Sequence, residues 1–131
     1  ITGGSGADVL TGGTGADVFI YTSSLDSGIG VGRDIISDFD AGSGDGVTVA
    51  DTIDLSSLIT GTFTYLGLTD GSTNAFTGGS TGNTEARFNN STKILEIDTD
   101  GDATVDMEIE LSNTDGTVLD DTDFISSSQP V

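Results

Sequence analysis

Four aspartates near the start of the chain, Asp8, Asp17, Asp26 and Asp34, follow one another at intervals of nine, nine and eight residues. The first two close turns of almost the same sequence. Residues 3–11 read Gly-Gly-Ser-Gly-Ala-Asp-Val-Leu-Thr and residues 12–20 read Gly-Gly-Thr-Gly-Ala-Asp-Val-Phe-Ile, identical at six of nine positions. Glycines at the first, second and fourth positions let the backbone pass through conformations closed to residues with a Cβ, so carbonyl oxygens can turn inward on a cation. The sixth-position Asp adds a carboxylate on a short stem. Carbonyl and carboxylate oxygens together are hard donors, and the ion they suit best is calcium.

The elements that must position these donors follow from the same repeat. Its last three residues form a short strand whose large apolar eighth residue, Leu10 or Phe19, enters the core. The pattern G-G-x-G-x-D-x-U-x resembles the nonapeptide of RTX (repeats-in-toxin) proteins, which build a parallel β-roll. Two nonapeptides make one coil, so turns on the same side stack 18 residues apart and share a cation between i and i+18. By that rule Asp8 stacks on Asp26 and Asp17 on Asp34. Two calcium sites are expected: the Gly3 and Ser5 carbonyls with Asp8 and Asp26, and the Gly12 and Thr14 carbonyls with Asp17 and Asp34. The third turn, residues 21–26, has no glycine, while the fourth, Gly28 to Asp34, keeps three. The roll is therefore expected to decay here into a cap.

Composition agrees with an oxygen-based metal site. The 131 residues fit one compact domain, with 34% hydrophobic residues, eight aromatics, twenty glycines and one proline. That balance favours an all-β chain of short strands and tight turns. Twenty-two carboxylates, eighteen of them Asp, face three basic side chains, for a formal charge of -19. Such self-repulsion opposes a compact state unless cations neutralise it. Three scattered cations cannot neutralise a run of phosphates, so nucleic acid is excluded as a partner, and anionic membranes are disfavoured in the same way. With neither cysteine nor histidine, thiolate and imidazole metal chemistry are absent. No apolar run is long enough to cross a bilayer, and no N-terminal segment resembles a cleaved signal peptide. A chain that opens on Ile1 inside a glycine motif is expected to continue a longer protein.

Beyond residue 34 a second resemblance emerges. Arg33-Asp34-Ile35-Ile36-Ser37-Asp38-Phe39, followed by Asp51-Thr52-Ile53-Asp54-Leu55-Ser56, is similar to the C-terminal domain of serralysin-type proteases, where R-D-x-I-x-D-F precedes D-K-I-D-L-S. Ala75 to Gly78, Glu85 to Phe88, Asp98 to Asp102 and Asp123 to Ile125 continue the similarity over nearly the whole chain. The resemblance implies that Asp26 and Asp34 are calcium ligands. It also implies a type I secretion route guided by an uncleaved C-terminal signal, which the segment Asp120 to Ile125 resembles. Departures are Thr52 in place of the family's Lys, a longer loop from Ala41 to Ala50, a wider Asp26 to Asp34 interval, and the additional residues 126–131.

The cap reads as antiparallel β-structure. Residues 94–97 and 105–111 flank a turn, and Val105, Met107, Ile109 and Leu111 alternate with Asp106, Glu108 and Glu110, a period of two with one buried face. Asp54 is placed to cap a single turn over residues 54–58. The run from Asp98 to Asp106 superficially matches an EF-hand loop, but Gly101 falls two positions early and Ile109 stands where the bidentate Glu is required. A plain hairpin turn is the expectation.

The expected organisation is terminal RTX coils over residues 1–34, a β-rich capping region over 35–111, and a tail over 112–131. The expected function is a calcium-binding, non-catalytic C-terminal module of a larger secreted bacterial protein, an adhesin or a protease, acting as a monomer outside the cell or at its surface. Its expected partners are calcium, the type I secretion machinery and the upstream domains of its own chain. The alternative is a polysaccharide-binding accessory module of a carbohydrate-active enzyme such as an alginate epimerase. Arg33, Arg87 and Lys93 are few for a polyanion. Serralysin-type catalysis needs H-E-x-x-H, which a chain without histidine cannot supply.

Overall fold

The computed structural model describes residues 1–41, 50–70, 72–77 and 81–126. Most of the long loop expected between Ala41 and Ala50, together with Gly78 and residues 127–131, lies outside them. The described residues are all β, with nine short strands: β1 (Val9–Leu10), β2 (Val18–Ile20), β3 (Asp34–Ile36), β4 (Thr52–Asp54), β5 (Phe63–Thr69), β6 (Thr84–Asn89), β7 (Ile94–Asp98), β8 (Met107–Leu111) and β9 (Phe124–Ile125). Among the described residues no helix is long and apolar enough to cross a membrane.

Each nonapeptide ends in a strand, as its apolar residues require. Phe19 is completely buried and Leu10 packs against the same core. Successive strands go to opposite faces, which is the alternation a coil needs. One sheet runs β1-β3-β8-β7-β6-β5 and the other runs β2-β4-β9. All neighbours are parallel from β1 to β8 and throughout the second sheet, which is the roll. The antiparallel pairs β8-β7 and β7-β6 belong to the cap. The cap also contains one parallel pair, β5 with β6, which the sequence did not signal. Its register breaks between Tyr65 and Leu68, where Gly67 takes a φ of 96° that side chains with a Cβ rarely adopt.

The register corrects the expected stacking interval. Val9 lies opposite Ile35 and Val18 opposite Thr52, so the strands stack at 26 and 34 residues rather than 18. Residues 21–33 explain the difference. They form no strand and instead make two 3₁₀ turns, Ser24–Asp26 in the part that has no glycine and Gly30–Gly32 in the part that keeps three. The Asp26 carboxylate is turned back on its own segment, accepting from the Thr22 and Ser23 backbone N–H groups at 2.9 and 3.1 Å. The excursion is then pinned to the cap. Arg33 pairs with Glu108 and Glu110 at 3.3 and 3.4 Å, the Gly30 N–H donates to Glu108 at 2.9 Å, and the Ser27 hydroxyl donates to the Glu108 carbonyl. The chain re-enters the roll at Asp34, and again at Asp51 ahead of β4.

The core lies between the two sheets, where Phe19, Ile36, Ile53, Leu55, Phe88 and Ile109 are among the fully buried side chains. In β8 the alternation works as expected, with Met107, Ile109 and Leu111 buried and Glu108 and Glu110 on the wetter side. Asp54 does cap a turn after β4: its side chain accepts from the Ser56 N–H at 2.9 Å. Space is tight where the 3₁₀ turn Gly116–Val118 crosses β6. A Cβ on Gly116 would stand 2.5 Å from a Phe88 ring carbon and 2.7 Å from Leu68 Cδ2. Gly116→Ala is therefore expected to cost about 1–3 kcal/mol through overpacking, seen as a lower urea midpoint. An unaltered midpoint would show that this crossing is not packed as described.

Candidate metal centre

The two glycine turns are built alike. Gly4 and Gly6 in the first, like Gly13 and Gly15 in the second, have φ between 90° and 104°, so the second and fourth glycines of the repeat provide the left-handed turn. The first glycine is needed for another reason. A Cβ on Gly3 would come within 2.7 Å of Asp8 Oδ2, and one on Gly12 within 2.6 Å of Asp17 Oδ2. The missing side chain makes room for the carboxylate. The Gly3, Ser5, Gly12 and Thr14 carbonyl oxygens accept no hydrogen bond from the described residues, which leaves them free as donors to an ion.

Strand pairing decides which carboxylates meet. Because β1 lies beside β3, the Asp8 N–H donates to Asp34 Oδ1 at 2.8 Å and the Ile35 N–H donates to the Asp8 carbonyl at 2.8 Å. Asp34 is fully buried, and its other oxygen, Oδ2, has no hydrogen-bond partner; neither has the buried Asp8 Oδ2. Burial pushes the Asp34 carboxyl upward in pKa. The Asp8 N–H and the Tyr21 hydroxyl work against that rise, and the charges of Asp8 and Asp26 add to it. Asp8 and Asp34 thus stand side by side, each with one buried carboxylate oxygen unpaired, and the Asp26 charge acts on Asp34 as well. Strand pairing brings Asp34 to Asp8, while the Asp26 carboxylate is held on its own segment by the Thr22 and Ser23 N–H groups.

The expected partnership of Asp17 with Asp34 is not present. Asp17 belongs to the other sheet, and its N–H donates to Asp51 Oδ1 at 2.9 Å. Asp51 Oδ2 accepts from the Asp40 N–H at 3.0 Å, and Asp38 accepts from the Gly12 and Gly13 N–H groups at 2.9 and 2.8 Å. Burial raises the Asp51 pKa, against the Asp17 and Asp40 N–H groups and with the charges of Asp17 and Asp38. Asp17 Oδ2 is buried and unpaired. Asp51 therefore stands to Asp17 as Asp34 stands to Asp8. Asp38 and Asp51 were missed as site residues because a fixed interval of 18 cannot find them. The signal was available in the strand openings Asp34-Ile35-Ile36 and Asp51-Thr52-Ile53, which repeat the Asp-Val-Leu and Asp-Val-Phe of the nonapeptides.

Among the described residues, the group of carboxylates whose ligand oxygens do gather at metal-holding distance lies on the hairpin between β7 and β8. One oxygen from each of Asp98, Asp100, Asp102 and Asp106 falls within 4.8 Å of the others. Here the turn itself satisfies the inner carboxylates. Asp98 accepts from the Gly101 and Ala103 N–H groups at 2.8 and 2.7 Å, and Asp106 accepts from the Thr99 N–H at 2.8 Å. The geometry is that of the expected hairpin turn.

Asp123, in the last 3₁₀ turn, is 2% exposed. Its pKa is raised to about 6 by burial, against the Asp120 N–H and with the charges of Asp120, Asp121 and Asp40. A carboxyl that holds its proton more tightly when folded favours folding at low pH, and that contribution is lost as pH rises through about 6. Carboxyls with lowered values, such as Asp115 and Asp120, act in the opposite sense but below the ordinary carboxyl range. In chelator, melting temperature is expected to rise as pH falls from 7 to 5. Asp123→Asn should flatten that slope, and an equal slope in the variant would assign it to other groups.

Residues 1–126 match the family model described as Peptidase M10 serralysin C terminal. No curated protein matches the chain. Among solved structures, the chain is similar to the AlgE6R2 subunit of the Azotobacter vinelandii mannuronan C5-epimerase. The sequence identity is 25% and the TM-score 0.53, over 99% of this chain and 72% of that one.

Proposed function

The chain belongs to the serralysin C-terminal family, and from that premise we propose that it is a non-catalytic, calcium-binding end module of a larger secreted protein, folding when calcium is present. The observation that carries this reading is the set of buried carboxylate oxygens without partners, Asp8 Oδ2 and Asp34 Oδ2 in one group and Asp17 Oδ2 in the other. Leaving such atoms unpaired is costly in any folded protein, and more so when they are charged. The first site takes Asp8, Asp26 and Asp34 with the Gly3 and Ser5 carbonyls. The second takes Asp17 and Asp51 with the Gly12 and Thr14 carbonyls, Asp38 holding the turn from behind through its N–H groups. Calcium supplies the positive charge between them.

Export follows from the same balance. A site with a dissociation constant of about 10⁻⁴ M, at the tight end for extracellular modules, stays empty at cytosolic calcium and fills outside. At about ten times that constant each site adds roughly 1.4 kcal/mol, and two add about 3 kcal/mol. Without that contribution a chain of charge -19 resists closing, which suits passage through a type I secretion channel. The parent fits an adhesin or a protease. The test is thermal melting in millimolar calcium and in excess chelator, with a markedly lower transition in chelator as the expected result. Identical transitions would remove the basis for calcium-dependent folding.

The similarity to an epimerase subunit favours a second reading, a polysaccharide-binding accessory module. The basic side chains weigh against it for a polyanion. Arg33 is paired with Glu108 and Glu110, Arg87 with Glu96, and the Lys93 ammonium donates to Asn90 and the Thr114 carbonyl. Binding to acidic oligosaccharides on a glycan array would reverse that preference.

A further inference from the structure

Strand β5 ends one sheet and β9 ends the other. Between β5 and the chain approaching β9 lies a cavity of about 480 Å³, lined by Phe63, Thr64, Tyr65, Leu119, Asp120 and Asp121. That volume is within the usual range of small-molecule sites. On the β5 side the wall is aromatic. The Phe63 and Tyr65 rings stand 5.5 and 5.2 Å from the Phe124 ring between centroids, and both side chains are only half-buried. The Tyr65 hydroxyl is buried without a hydrogen-bond partner. The facing wall is anionic, since Asp120 and Asp121 are both exposed. Asp120 Oδ1 accepts from the Thr122 N–H at 2.9 Å, and the Asp121 carboxylate accepts from none of the described residues. The basic groups of the chain are engaged elsewhere. Arg33 pairs with Glu108 and Glu110, Arg87 with Glu96, Lys93 donates to Asn90 and the Thr114 carbonyl, and the Ile1 amino group donates to the Val18 carbonyl.

We propose that this cavity binds a small organic ammonium ion, with Phe63 and Tyr65 against its apolar body and the Asp120 and Asp121 carboxylates facing its charge. The class of ligand follows from the wall. An aromatic face is negative and attracts a cation held within about 6 Å of the ring centre, and the two carboxylates act in the same direction. An anion is repelled by both of them. A neutral apolar molecule would take water from the carboxylates and return no charge to them. A bare calcium ion needs about six to eight oxygen ligands, and neither the Phe63 ring nor the Leu119 side chain supplies one. None of the six lining residues belongs to either calcium group, so this site stands or fails independently of the calcium-binding reading.

The test is an NMR titration of the full chain in millimolar calcium, first with choline chloride and then with its neutral analogue dimethylbutanol, in which carbon replaces the charged nitrogen. The expected result is a saturable shift of the backbone amides of residues 63–65 and 119–121 with choline, at a dissociation constant on the order of 10⁻³ M, and much weaker shifts with the alcohol. Asp121→Asn should weaken choline binding about threefold. The exposed position of Asp121 makes this variant safe for folding. Phe63→Leu, which keeps an apolar wall but removes the ring face, should weaken binding by a similar factor of about three. Amides that do not shift, equal binding of the alcohol, shifts confined to other residues, or unaltered affinity in both variants would overturn the proposal. If the chain takes up no calcium, the calcium-binding reading fails on its own, and the choline titration is read without calcium.

Discussion

Asp34→Asn is expected to melt higher than the wild type in excess chelator, and to lose about half of the stabilisation that calcium confers. The amide keeps an oxygen to accept from the Asp8 N–H but removes a buried negative charge from beside Asp8 and Asp26, the charges that help to raise its pKa. Without calcium that removal relieves repulsion. With calcium it removes a ligand, and at a hundred times the dissociation constant a filled site is worth about 2.7 kcal/mol. Few substitutions act in opposite directions on the two states, so melts in both conditions test the assignment well. A chelated variant melting below the wild type, or a calcium increment of full size, would take Asp34 out of the site.

The nonapeptides made much of this legible. Glycine spacing announced the turns, and the eighth-position Leu10 and Phe19 announced the direction of the core. The strict alternation from Val105 to Leu111 announced a strand with one dry face. What could not be read was the length of the excursions between coils. Nothing local in residues 21–33 says that they leave the sheet, because their departure is fixed by distant contacts: Arg33 on Glu108 and Glu110, and Ser27 on the Glu108 carbonyl. With the excursion misjudged as two further turns, Asp34 fell opposite Asp17, when the strand ladder sets it opposite Asp8. Asp51 stands in the family-like run Asp51-Thr52-Ile53-Asp54-Leu55-Ser56, and its distance from Asp17 does not mark it as the opening of another coil. The parallel β5-β6 pair was illegible for the same reason, since it joins segments separated by a long connection.

Phe19→Ala should have a larger effect on stability than any change at the calcium sites. Phe19 is completely buried, its ring centroid lies 6.1 Å from that of Phe39, and its strand pairs with β4 in the second sheet. Truncating a buried Phe costs about 3–5 kcal/mol, comparable with the roughly 5–15 kcal/mol total of an ordinary domain. The variant is expected to give no cooperative melt by circular dichroism in chelator and to recover one in millimolar calcium, by mass action on the folded form. A cost near or below 1 kcal/mol would mean that Phe19 does not join the two sheets.

The central claim is that aspartates from neighbouring coils, brought side by side by the strand ladder, hold divalent cations. The direct measurement is calorimetric titration of the folded module with calcium chloride at physiological ionic strength. The account predicts saturable heat with a stoichiometry of about two and dissociation constants on the order of 10⁻⁴ M. No heat of binding at millimolar calcium would contradict it.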